Sequence, residues 1–412
     1  MVVTRCPYRP DSLTAVSPRL LRAVRIPAAV AVAALLASTA CSHGTGSDRT
    51  SNATPTLPAT TLQVSLSTCG QGWSSPHTGT QRLVLHNADS RPAEVTLVDA
   101  KTGAVYAEVE PLGAGRDANV DITLNPGAYA LRCALEDESL VSGPTVTVAG
   151  PSAPSGQVAP PVQPVSQGDL IPATMAYEAY VTGQLPRLTR DVAALRADLA
   201  AARFAEAKRA WLTAHLDYER LGAAYGAFGD ADRQINGLPS GLPKGAQDPA
   251  FTGFHRIEAG LWSGHPEAAQ LAAQAATLAK AVDGLGATFA KTQIDPGEVS
   301  IRAHEITENA LQFELTGRTD FGSHSQLATV AANLEGTAEV LRVLHAVLAP
   351  RDSDLPAIDA DLAAARTLVE AHSGTALSAL DRTTRERLDA AVSELSERLA
   401  AVAAILEPRR TS

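Results

Sequence analysis

Residues 145–169 read TVTVAGPSAPSGQVAPPVQPVSQGD, and the change of pattern inside them decides the fold. Thr145-Val146-Thr147-Val148 closes a region in which apolar residues alternate with polar ones. Leu62–Leu66, Arg82–His86, Ala93–Val98, Ala107–Val109, Val120–Leu124 and Ala128–Cys133 repeat that period of two, and Pro126-Gly127 marks a turn. About seven short strands separated by turn signals predict a β-sandwich over residues 61–149. Pro151, Pro154, Pro160, Pro161 and Pro164 then mark 150–168 as a semi-rigid linker. Beyond it the period becomes 3.6: Tyr177, Val181, Leu188, Val192, Leu195 and Leu199 form one stripe, with Pro186 placed to bend its helix. Further helices are expected near 206–228, 250–262, 266–292, 297–315, 325–348, 354–373 and 382–406, and 317–323 reads as a loop. The expected architecture is a multidomain α and β chain, the sandwich followed by an all-α bundle over 169–408.

Composition agrees, with 45% apolar but only 4% aromatic residues. The formal net charge is −10, from 44 acidic and 34 basic residues, which argues against nucleic acid as a partner because phosphate contacts need a basic face. Arg19, Arg22 and Arg25 precede an apolar run from Ile26 to Leu36 and then Ala37-Ser38-Thr39-Ala40-Cys41. A basic start, a short apolar core and a small-residue cleavage site make residues 1–40 a signal peptide and the protein an exported one. The segment resembles a bacterial lipoprotein signal, in which Cys41 receives lipid and anchors the chain to the membrane. Ser38 stands where leucine is usual there, so cleavage after Ala40 without lipid is the alternative. Residues 41–60 are small and polar, as in a flexible tether.

The chemistry concentrates in Phe251-Thr252-Gly253-Phe254-His255-Arg256-Ile257-Glu258. His255 and Glu258 stand three apart on a predicted helix, so an imidazole and a carboxylate share one face. His215 with Glu219 and His304 with Glu308 repeat that relation at a spacing of four. Facing helices of a bundle can join such pairs around a cation. Each pair also has a plain structural reading: His255 as a core histidine, His215 and His304 as surface residues, and Glu258 neutralised by Arg220 or Arg302. Asp230 and Asp232 read either as ligands or as caps of a following turn. A peptide-cutting zinc helix needs the second histidine of H-E-x-x-H, which is missing. In the β-region, Cys69 and Cys133 lie outside the cytoplasm and suit a disulfide, closing a loop of about 64 residues worth about 4 kcal/mol. The alternative is a second metal site in which Glu94 joins Cys69 and Cys133. Blue-copper electron transfer does not fit, since neither methionine, Met1 nor Met175, lies in the β-region.

Four ordered blocks, Asp248–Glu258, His215–Arg220, Phe228–Asp232 and Ser323–Ser325 with Ala332–Gly336, resemble the imelysin-like family in its two-domain EfeO form. Cys69, Glu94 and the hairpin from Pro126 to Cys133 resemble the cupredoxin-like module that precedes the helical domain in that form. The resemblance implies an extracytoplasmic, periplasmic or lipid-anchored protein that binds iron, ferrous or ferric, and delivers it to a membrane permease, with a secreted haem peroxidase as partner. It makes His255 and Glu258 the central ligands, adds Glu219 and Glu308, and makes the β-region an accessory site for copper or a second iron. On this reading the protein is not an enzyme. The competing readings are a zinc-dependent peptidase and a haem- or polysaccharide-binding envelope module in which the His–Glu pair is structural.

Overall fold

The computed structural model describes residues 2–4, 58–154 and 156–410. Apart from the strand Val2–Thr4, the expected signal peptide, Cys41 and most of the tether lie outside the described residues.

The N-terminal region is built of strands: β1 (Val2–Thr4), β2 (Ala59–Val64), β3 (Gly79–Asn87), β4 (Ala93–Asp99), β5 (Val105–Leu112), β6 (Asp117–Leu124), β7 (Gly127–Leu135), β8 (Val141–Ser142) and β9 (Val146–Val148). One sheet runs β1-β5-β4-β7-β8 with β9 also on β7, and the other runs β2-β3-β6. The period of two decides which side chains meet. Leu83 and Leu85 of β3, Val95 and Leu97 of β4, Ala107 and Val109 of β5 and Leu131 of β7 are buried in one core shared by both sheets. Cys69 and Cys133 are joined by a disulfide across that core, their Cα atoms 6.0 Å apart.

The helical period begins at Ser166, whose hydroxyl accepts from Asp169 N while Asp169 accepts from Ser166 N. This reciprocal cap starts α1 (Gln167–Ala200), which continues through Pro186. It is followed by α2 (Phe204–Glu219), α3 (Tyr225–Phe228), α4 (Asp230–Asn236), α5 (Gly253–Leu261), α6 (Ala268–Phe289), α7 (Glu298–Asn309), α8 (Gln326–Leu348), α9 (Leu355–Glu370) and α10 (Arg382–Ile405). The helix expected over 206–228 is divided, because Leu221 N–H turns back to Tyr218 O and ends the α-helical ladder. Their apolar stripes merge into one continuous core. Between the two regions, Val105 bridges Val162, and Arg409 pairs with Glu108 of β5 at 2.7 Å with both side chains buried. No helix among the described residues is long and apolar enough to cross a membrane.

Candidate metal centre

Two local devices fix the helices that carry the site. Trp211 on α2 donates its indole N–H to Phe254 O, tying α2 to the start of α5 at 2.9 Å. Gly253 opens α5 with φ +81°, and a Cβ there would lie 2.1 Å from Ile235 O. Only glycine lets α5 begin this close to the end of α4. One turn beyond Trp211, the His215 ring stacks on the indole, and the His255 ring meets His215 edge-on with centroids 5.4 Å apart.

Glu219 follows His215 by one further turn and is buried. His215 Nε2 lies 3.1 Å from its Oε1, Asn236 donates to Oε1 at 2.7 Å, and Asn333 of α8 donates to Oε2 at 2.8 Å. Burial works against its charge, but His215 and the two amides outweigh that and hold the carboxyl down at about 2. His215 is itself buried rather than on the surface. Burial disfavours its charged form, yet the neighbouring carboxylates, Glu219 first, leave its pKa raised.

Glu258 is 1% exposed. Its Oε1 accepts from Phe321 N (3.0 Å), Ser323 N (3.0 Å) and Ser323 Oγ (2.5 Å). The loop that supplies these donors turns at Gly322 (φ +123°), where a Cβ would press against Trp262 Cβ at 2.8 Å. Glu258 Oε2 lies 3.3 Å from His255 Nδ1. A carboxylate only accepts, so Nδ1 carries the proton, and in the neutral ring Nε2 then keeps its lone pair. His255 lines a cavity of about 190 Å³ and Glu258 does not. Glu258 thus meets the His255 ring at its Nδ1 edge, the contact that carboxylates commonly make behind metal-binding imidazoles.

The cavity wall also includes Glu219, Tyr225, Asn236, Arg302, Glu314 and Asn333. Glu314 was not singled out in the sequence. It ends a π-helical turn, Ala310–Glu314, that continues α7. Burial, and then the charge of Glu219, push its carboxyl up to about 8. Glu308 is not in the wall: its side chain is 45% exposed and 3.9 Å from His304. Asp232 accepts from the Tyr218 hydroxyl at 2.6 Å, while Asp230 is exposed and paired with Arg233. Arg220 bonds Asp217 and Glu335, and Arg302 bonds Glu298 and Glu305, so neither neutralises Glu258. In the sheet region Glu94 pairs with Ala134, one step from the pairing of Val95 with Cys133. Glu94 thus leaves the opposite face of the sheet from Cys133, and both cysteine sulfurs are committed to each other. The structure does not bring Cys69, Glu94 and Cys133 together as ligands. Among the described residues no three His, Cys, Asp or Glu side chains are already set to hold one metal ion.

A helical bundle with imidazole and carboxylate groups converging on a buried cavity, joined to an N-terminal sheet region, is the class of protein defined here. The Imelysin (peptidase M75) family model matches residues 173–402, and the chain belongs to that family, in its EfeO-type branch. The iron uptake system component EfeO of Yersinia pestis is 28% identical over 287 residues, covering 67% of this chain and 71% of that protein. The protein of the same name from Escherichia coli K12 is 24% identical over 358 residues, covering 85% of this chain and 92% of the relative.

Proposed function

We propose that this protein is the extracytoplasmic component of an iron uptake system, capturing iron in the α2–α5–α7 cavity and delivering it to a membrane permease. The observation that carries the reading is the convergence of His255, Glu219 and Glu314, from three separate segments, on one cavity within the family-matched region, with His215 3.1 Å from Glu219. Imidazole and carboxylate donors together suit iron in either common oxidation state. His255 Nε2 and Glu314 are the groups free to ligate, Glu219 is the fixed negative charge beside them, and Glu258 orients His255. The relatives named as iron uptake components support the same assignment. A peptidase would use Glu258 as a base toward a metal-bound water. Here one oxygen of that carboxylate, Oε1, accepts three hydrogen bonds from the 321–323 loop, and the other, Oε2, lies 3.3 Å from His255 Nδ1.

Around this centre we place the remaining parts of the reading. Residues 1–40 are a leader, Cys41 is the lipid anchor, 41–60 the tether, 61–149 a cupredoxin-like module, 150–168 the linker and 169–408 the iron-binding domain. A secreted haem peroxidase is the expected partner on the route to the permease. The test is titration of the purified protein with Fe(II) under nitrogen, Fe(III) and Zn(II), for wild type, His255→Ala and Glu314→Gln. Iron binding lost in His255→Ala and weakened in Glu314→Gln, with helical circular dichroism intact, is the expected result. Wild-type affinity in both variants would move the site elsewhere and end this reading.

A further inference from the structure

The wall of the cavity contains a group with no obvious place in a cation site. Arg302 of α7 lines the same space as His255, Glu219 and Glu314. A guanidinium has no lone pair to offer a metal, and its positive charge opposes a cation. Its position is nevertheless specifically accommodated: Gly226 leaves room for it, since a Cβ there would sit 2.7 Å from Nη2. One nitrogen, Nη1, bonds Glu305, and Nη2 lies 3.3 Å from Glu298. Both carboxylates are substantially exposed, so these pairs contribute little to stability. Nε is buried and has no hydrogen-bond partner among the described residues. Of the five N–H donors on the fork, most remain unused.

At about 190 Å³ the cavity is larger than one that accepts benzene, and far larger than a bare ion requires. The protein groups at hand also do not close around a metal: no three ligating side chains among the described residues are arranged for one ion. Glu219 is engaged by His215, Asn236 and Asn333, which leaves His255 Nε2 and Glu314 as the free donors. A six-coordinate iron ion would keep several positions open.

Building on the function proposed above, we infer that the cavity takes iron together with a small chelating oxyanion, a carboxylate or carbonate, whose far oxygens rest on the Arg302 fork. The anion fills the coordination positions that His255 and Glu314 leave empty, and it accounts for the spare volume. It also turns the Arg302 charge from a liability into a recognition element, because a planar fork matches an oxyanion with two parallel hydrogen bonds. Asn309, in the same wall, supplies a neutral amide donor beside it.

The experiment loads the full-length protein with Fe(III) in the presence of radiolabelled oxalate, labelled bicarbonate, or neither, and then removes free ligand by gel filtration. Wild type is expected to retain about one oxalate or carbonate per iron, the two arms showing which anion is preferred, and to retain iron at least tenfold less well with neither present. Arg302→Gln should still take up iron but lose at least tenfold of the retained anion. Arg302→Lys, which keeps a point charge without the fork, should fall between them and serves if the glutamine variant fails to fold. Iron retained equally well without any anion, or anion retained undiminished in the Arg302 variants, overturns the inference and leaves iron capture standing. No iron retained by wild type in any arm overturns iron capture and this inference together.

Discussion

Replacing Glu258 by Gln tests the division of labour between the two residues of the H-x-x-E pair. The amide retains an oxygen for Phe321 N and for Ser323 N and Oγ, so the loop stays attached, but bonds that were charge-assisted become neutral. At roughly 1 kcal/mol lost per bond, discounted for relaxation, the fold should lose about 1–3 kcal/mol. Glu258→Ala leaves the same donors buried without an acceptor and should cost about 3–5 kcal/mol. The sharper consequence falls on His255. With an NH₂ group facing Nδ1, the ring adopts the tautomer in which Nδ1 accepts and Nε2 carries the proton. The cavity then meets a donor where it needs a lone pair, and iron affinity should fall about 10- to 100-fold, the usual range for removing a group behind a metal ligand. Proton–nitrogen correlation spectra of the histidine rings report the tautomer, and anaerobic Fe(II) titration reports the affinity. If wild type already carries the proton on Nε2 of His255, or if Glu258→Gln binds iron as wild type does while staying folded, then Glu258 does not set the His255 tautomer for iron binding.

Other expectations follow from individual contacts. Glu314, with its folded-state pKa pushed up to about 8 from an ordinary carboxyl value, remains protonated in the folded cation-free protein while the unfolded chain has lost that proton. Its contribution therefore makes stability decline as pH rises from the ordinary carboxyl range through about 8, and Glu314→Gln should flatten the fall in Tm between pH 6 and pH 9. Glu219 acts in the opposite sense: held at about 2, it stabilises the fold above the ordinary carboxyl range, and that contribution disappears on acidification toward pH 2, as acid titration of Glu219→Gln against wild type should reveal. Gly253→Ala forces both a positive φ on alanine and a 2.1 Å clash with Ile235 O, and should lower the urea-unfolding free energy by about 2 kcal/mol or more. Reduction, or Cys133→Ser, removes a cross-link spanning 64 residues and should cost the sheet region about 4 kcal/mol while leaving the helical circular dichroism unchanged.

Much of the fold was legible because it rests on periodicity. The switch at residues 150–168 from alternating to 3.6-residue patterning separates sheet from helix, and the stripe from Tyr177 to Leu199 is the buried face of α1. What the pattern did not carry was the inner surface of the site. His215 had a plain reading as a surface residue, on a helix that also carries the charged Lys208, Arg209 and Asp217. It is buried because Trp211 stacks on it and His255 closes over its other side, a three-dimensional fact with no local signature.

The exchange of Glu308 for Glu314 has a more specific cause. Helical spacing places Glu308 one turn after His304, and that pair does form on the outside of α7. Past Asn309 the ladder widens into the π-helical turn Ala310–Glu314, and a single wide turn shifts every later side chain around the axis. Phases extrapolated from a 3.6-residue period therefore fail there, and Glu314 swings inward to the cavity. π-turns are rare and frequently found at functional sites, and here the turn ends on a carboxylate in the same cavity wall as Glu219. That makes Glu314, together with the Asn236 and Asn333 amides that fix Glu219, as much part of the site's definition as the H-x-x-E pair itself. The motif marks where the centre begins, on α5. Its far wall is set by the helix irregularity of α7 and by α8, which no spacing rule within the motif reaches.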